Sequence, residues 1–134
     1  MKMWTGLVMA MPTLFGALAC LAPAQAKASG YLTPLQHGVS ISGYMINNSI
    51  SPAAGDNPGL TIWVSGISNP DGCTGTDKVH IPSTVPNFSL IVQAVISASA
   101  SGSYVGMYGF GCASIPFWGG AVTYPQVITL WVVH

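Results

Sequence analysis

Three observations predict a mainly β domain carrying one helix. Apolar and polar residues alternate with period two in five separate stretches. Gly, Pro, Asn and Asp cluster between those stretches. One longer stretch carries helix start and stop signals.

The first strand is read over His37 to Ile46, where Val39, Ile41, Gly43 and Met45 face one way and Ser40, Ser42 and Tyr44 the other. Asn47 to Pro58, rich in Asn and Pro, is a long loop. Leu60 to Ile67 is the second strand, with Leu60, Ile62 and Val64 opposite Thr61, Trp63 and Ser65. Ser68 to Thr76 contains Asn69-Pro70-Asp71-Gly72 and is a turn region. Val79 to Ile81 is a short third strand stopped by Pro82, with His80 half-exposed on it.

Asn87 to Ala100 supports two readings. As a strand it alternates Phe88, Leu90, Val92, Ala94, Ile96 and Ala98 against Ser89, Gln93, Ser97 and Ser99. As a helix it carries a polar stripe of Ser89, Gln93, Ser97 and Ser101, with Phe88, Ile91, Val92 and Val95 toward the core. Asn87 as N-cap, Gly102 as C′ residue and the length of the segment favour the helix. Ser103 to Tyr108 is the fourth strand, Phe110 to Gly120 a loop, and Ala121 to Val133 the last strand. Five strands with a helix between the third and fourth is the element order of the OB-fold, a Greek-key barrel, here over residues 37–134.

Charge narrows the function. The chain has three Lys, three Asp, no Arg and no Glu, and its net charge is zero. No basic face exists to neutralise a phosphate backbone, so nucleic acid is not the expected partner.

Residues 1–26 read as a signal peptide: Lys2 gives the positive start, Leu7 to Leu21 the apolar stretch, and Ala24-Gln25-Ala26 the cleavage site. A membrane span is disfavoured by Pro12 and Pro23 and by the shortness of the stretch. Lipidation at Cys20 is the competing reading, but that register lacks the Leu usual three residues earlier. Residues 27–36, small and polar with Pro34, are expected to be a flexible leader. The product is expected to be secreted or periplasmic, with no membrane span. In such an oxidising compartment Cys73 and Cys112 are expected to form one disulfide. Closing a loop of about 40 residues, it is worth about 3–4 kcal/mol in the chain-entropy model.

The run Asp71-Gly72-Cys73, a short strand, Pro86-Asn87-Phe88, a small-residue helix and then Ser101-Gly102-Ser103-Tyr104-Val105 resembles the B subunits of AB5 toxins. The nearest type is the subtilase-cytotoxin and pertussis-like group, over roughly Gly59 to Val133, although the cysteine arrangement departs from those subunits. The resemblance implies glycan recognition, a homo-oligomeric ring and a toxin A subunit as partner.

Enzymatic chemistry has little material here. His37, His80 and His134 are present, but no serine sits in a G-x-S-x-G elbow and no histidine or cysteine pair has metal-ligand spacing. A non-enzymatic protein without cofactor or metal is expected. OB-folds bind through the face of strands two and three and the loops joining strands one to two and four to five. Those places hold Asn47, Asn48, Ser49 and Asp56, then Trp63, then Phe117 and Trp118. Amides with an aromatic platform suit a sugar, whose hydroxyls need partners and whose C–H face packs on a ring. The same residues also read as ordinary loop positions, with Trp118 capping the barrel. The competing function is a stand-alone periplasmic or cell-surface OB-fold protein with a structural or protein-binding role.

Overall fold

The computed structural model describes residues 29–47, 57–115 and 120–134. These form a mainly β domain with one helix: β1 (Ser29–Tyr31), β2 (Gly43–Asn47), β3 (Gly59–Trp63), β4 (Lys78–Pro82), α1 (Phe88–Ser101), β5 (Tyr104–Ser114) and β6 (Thr123–Val133). The strands make one six-stranded sheet in the order β1-β5-β6-β4-β3-β2. All neighbours are antiparallel except β4 and β6, which run parallel where His80 meets Gln126. A single bridge between Val39 and Val105 brings the segment before β2 against β5.

The sixth strand is a correction. Residues 29–36 were expected within a flexible leader, but Ser29, Gly30 and Tyr31 pair with Phe110, Gly109 and Tyr108. Leu32 is buried in the core, and the Leu32 and Thr33 N–H groups both donate to the Met107 carbonyl. Small, polar composition hid one apolar anchor, Leu32, whose burial is worth roughly 1.5–3 kcal/mol. The first and second expected strands are also shorter than read, and β5 continues through Ser114 into the expected Phe110 to Gly120 loop. That extension survives its glycines because register shifts after Tyr108 and Gly109 let it re-pair with β6 up to Thr123.

The core lies on one face of the sheet, under the helix. Leu60, Ile62 and Val64 from the β3 region, Val79 and Ile81 from β4, Met107 from β5 and Val127 from β6 are buried there. Val95 and Ala98 close it from the helix, while Ser89, Gln93, Ser97 and Ser101 are exposed. The helix stops as its signals imply: Gly102 takes φ 69° and its N–H donates to the Ala98 carbonyl. The start differs. Asn87 adopts φ 60° and makes no side-chain cap; its carbonyl instead accepts from the Leu90 and Ile91 N–H groups. Ser97→Ala should therefore be neutral or stabilising by a few tenths of a kcal/mol, read by urea unfolding. A clear loss would contradict its place on the exposed helix face.

Cys73 and Cys112 form a disulfide with Cα atoms 5.6 Å apart. It stitches the β3–β4 connection to β5, and polar contacts run alongside it. The Gly111 N–H donates to Asp71 Oδ2 at 2.7 Å, the Cys73 N–H donates to Asn69 Oδ1 at 2.8 Å, and the Gly75 N–H donates to the Thr123 carbonyl at 2.9 Å. Among the described residues no helix is long and apolar enough to cross a membrane.

Candidate functional site

The sheet face opposite the core carries Trp63 and Asn47. Gly43 pairs with Trp63 and Asn47 with Gly59, so the two expected ligand residues lie four positions apart along β2, about 13 Å. Both are half-buried, and the Trp63 ring packs against Gly43. Asn48, Ser49, Asp56, Phe117 and Trp118 lie outside the described residues.

Between Trp63 and Asn47 runs a lateral row, Met45, Thr61, His80 and Gln126, one residue from each of four strands. His80, expected half-exposed, is fully buried, as is Thr61. The two pair across the strands with Thr61 Oγ1 and His80 Nδ1 3.3 Å apart. The imidazole lies over Gly59, where a Cβ would approach His80 Cε1 to 2.9 Å. Its Nε2 is buried and, among the described residues, has no hydrogen-bond partner. Loss of water around the ring lowers its pKa from 6.5 to about 4, keeping it neutral at physiological pH.

A second surface was not anticipated as a site. On β5, Tyr104, Gly106, Tyr108 and Phe110 recur with period two, while Val105 and Met107 point into the core. Trp131 of β6 pairs with Gly106, and its indole fills the gap in the tyrosine row. A Cβ on residue 106 would lie 2.0 Å from Trp131 Cε2, so the ring rests there only because residue 106 is glycine. Tyr31 of β1 stands edge-on to Tyr108 at 5.2 Å and to Trp131 at 6.3 Å. Tyr31, Tyr104 and Phe110 are 50%, 52% and 42% exposed. Exposed rings in a contiguous row are informative in a way that single surface aromatics are not.

At the Tyr104 end the row meets a cleft of about 280 Å³ lined by Gln36, His37, Gly38, Tyr104, Val133 and His134. Ser103 Oγ lies 3.3 Å from His134 Nδ1, which leaves Nε2 as that ring's other polar atom. Together the row and cleft offer aromatic faces, an amide and two imidazoles. Among the described residues no three His, Cys or Asp side chains gather around one point that a metal ion could occupy. The sequence signal for this surface was the alternation Tyr104-Val105-Gly106-Met107-Tyr108, read only as a strand. Tyr31 was hidden in the expected leader, and no local pattern joins it to residues of β5 and β6. Comparison with protein-family models, curated proteins and solved structures finds nothing that matches this chain.

Proposed function

We propose that this chain is a secreted or periplasmic, non-enzymatic glycan-binding subunit similar to the B subunits of AB5 toxins. The observation that carries the reading is the surface row of Tyr104, Trp131, Tyr108, Tyr31 and Phe110 on β1, β5 and β6, in which Tyr104, Tyr31 and Phe110 are exposed and Trp131 and Tyr108 half-buried. Pyranose rings present apolar C–H faces that pack on such side chains and hydroxyls that need nearby donors and acceptors. Gln36, His37 and His134 supply those at one end.

In this reading five of the strands are an OB-fold barrel to which β1 is added. Its support is the run β2-β3-β4-β6-β5, the parallel pairing of β4 with β6, the helix between β4 and β5, and the bridge from Val39 to Val105. The disulfide supports an oxidising compartment, reached after removal of residues 1–26. Assembly into a homo-oligomeric ring, with a toxin A subunit as further partner, belongs to the same reading. It is supported by β2, a sheet edge that carries the exposed Tyr44 and Ile46.

A glycan array probed with wild type and Tyr104→Ala tests the binding surface. Tyr104→Ala should weaken the array signal while unfolding stability stays within about 0.5 kcal/mol, as for a surface substitution. A wild type silent on every glycan ends the lectin reading and leaves a stand-alone structural or protein-binding role. A strongly destabilised Tyr104→Ala would return that ring to the core.

A further inference from the structure

Resting on the glycan reading above, we propose that the ligand is a linear, uncharged oligosaccharide. Its body lies along the ring row of β5, and one end enters the cleft of Gln36, His37, Tyr104 and His134.

Length follows from strand geometry. Tyr104, Trp131 over Gly106, Tyr108 and Phe110 succeed one another every two residues, about 7 Å apart, so the row runs about 20 Å. A single sugar covers one or two of these rings; a short chain of sugars is needed to cover all four. Tyr31 stands at 79° to Tyr108 and 82° to Trp131, and so rises as a wall beside them rather than continuing a flat surface. A wall beside a row of rings guides one chain and obstructs the broad face of a crystalline polysaccharide.

Charge sets the ligand class. The charged side chains among the described residues are Asp71, Asp77 and Lys78. Lys78 is paired with Asp77 and sits 5.2 Å over the Tyr124 ring, on β4 and away from the row. Among the described residues, the charged side chain at the row's Phe110 end is the Asp71 carboxylate, which accepts from the Gly111 N–H. A sialic acid, uronic acid or sulfate on this surface would lose water and, among the described residues, meet no lysine or arginine. Neutral hydroxyls need only what the cleft provides: the Gln36 amide and the His37 and His134 imidazoles. At about 280 Å³ the cleft falls just short of the usual range for whole small-molecule ligands, which suits the terminal sugar of a longer chain.

Titration calorimetry at pH 8 tests this on the full mature protein. The neutral probes are cello-, chito- and β-1,4-galacto-oligosaccharides from two to four units; the acidic ones are tetragalacturonate and sialyllactose. At least one neutral series should bind, its affinity rising about ten-fold from two units to four as further rings are covered. Binding should be insensitive to salt up to about 0.5 M. The pair Gln36→Ala and His37→Ala should weaken the tetrasaccharide about ten-fold, with an unchanged Tm. Preference for the acidic probes, or affinity that falls steeply with salt, would overturn the uncharged ligand and leave the lectin reading standing. Affinity independent of length, or indifferent to the cleft variants, would overturn the extended mode. Silence on these probes and on the array would remove both readings.

Discussion

Acidification from pH 7 to pH 4 should cost this protein about 3 kcal/mol through His80 alone. The folded imidazole titrates near 4 because burial strips its water, whereas in the unfolded chain it titrates near 6.5. Between those values the unfolded chain binds the proton and the folded chain does not, so stability falls as pH falls. The loss begins near pH 6.5, is complete near pH 4, and adds no slope below that. Among the described residues the ring has no polar rescue nearby: Thr61 already faces Nδ1, Nε2 has no partner, and the ring sits on the Gly59 backbone. Urea unfolding of wild type and His80→Gln across this range isolates the contribution, since the two chains differ at that position alone. The variant should lack the His80 portion of the slope. Equal slopes would show that the ring is hydrated in the folded state.

Breaking the Cys73–Cys112 disulfide should be of similar size. The bond spans a sequence separation of 39 residues, for which the chain-entropy relation gives about 4 kcal/mol, within the 2–5 kcal/mol typical of native disulfides in small secreted domains. For a domain near 100 residues that lowers Tm by on the order of 15 °C or more. Cys73→Ser with Cys112→Ser, compared with wild type in oxidising and reducing buffer, reads it directly. The double variant should match reduced wild type. The consequences should concentrate where the β3–β4 connection meets β5 and β6, because the Asp71–Gly111 and Thr74–Thr123 contacts lean on the same junction. A change below about 1 kcal/mol would mean that those contacts hold the junction unaided.

Local pattern carried the elements that local physics decides. The α1 segment had a competing strand reading, and Gly102, free to adopt positive φ, marks its end where the sequence placed it. Alternation in β3 and β4 put Leu60, Ile62, Val79 and Ile81 in the core. Where pairing crosses the chain, the sequence was silent. Nothing in Ala28-Ser29-Gly30-Tyr31 announces a partner at Phe110, and nothing around His80 announces that Thr61 will meet it in a dry layer. The candidate surface divided in the same way. The aromatic alternation of β5 was visible, but the glycine that seats Trp131 and the wall made by Tyr31 exist only once three distant segments are side by side. Of the residues first singled out for binding, Asn47 and Trp63 lie on β2 and β3, on strands away from the aromatic row, separated from each other by the buried Thr61–His80 pair.

The pairing of β1 with β5 also bears on how the chain is made. Residues 29–33 emerge from the ribosome early, yet their strand partners, Met107 to Phe110, emerge much later. Leu32 also accepts from the Ser68 N–H, but a segment whose strand partner lies so far along the chain pays most of its loop-closure entropy before that pairing repays it. Until then Leu32 is a solvent-facing apolar side chain beside an unpaired strand, a form open to proteases and to other chains. This edge of the sheet can therefore close only once β5 has been made, and until then the nascent chain there remains threadable.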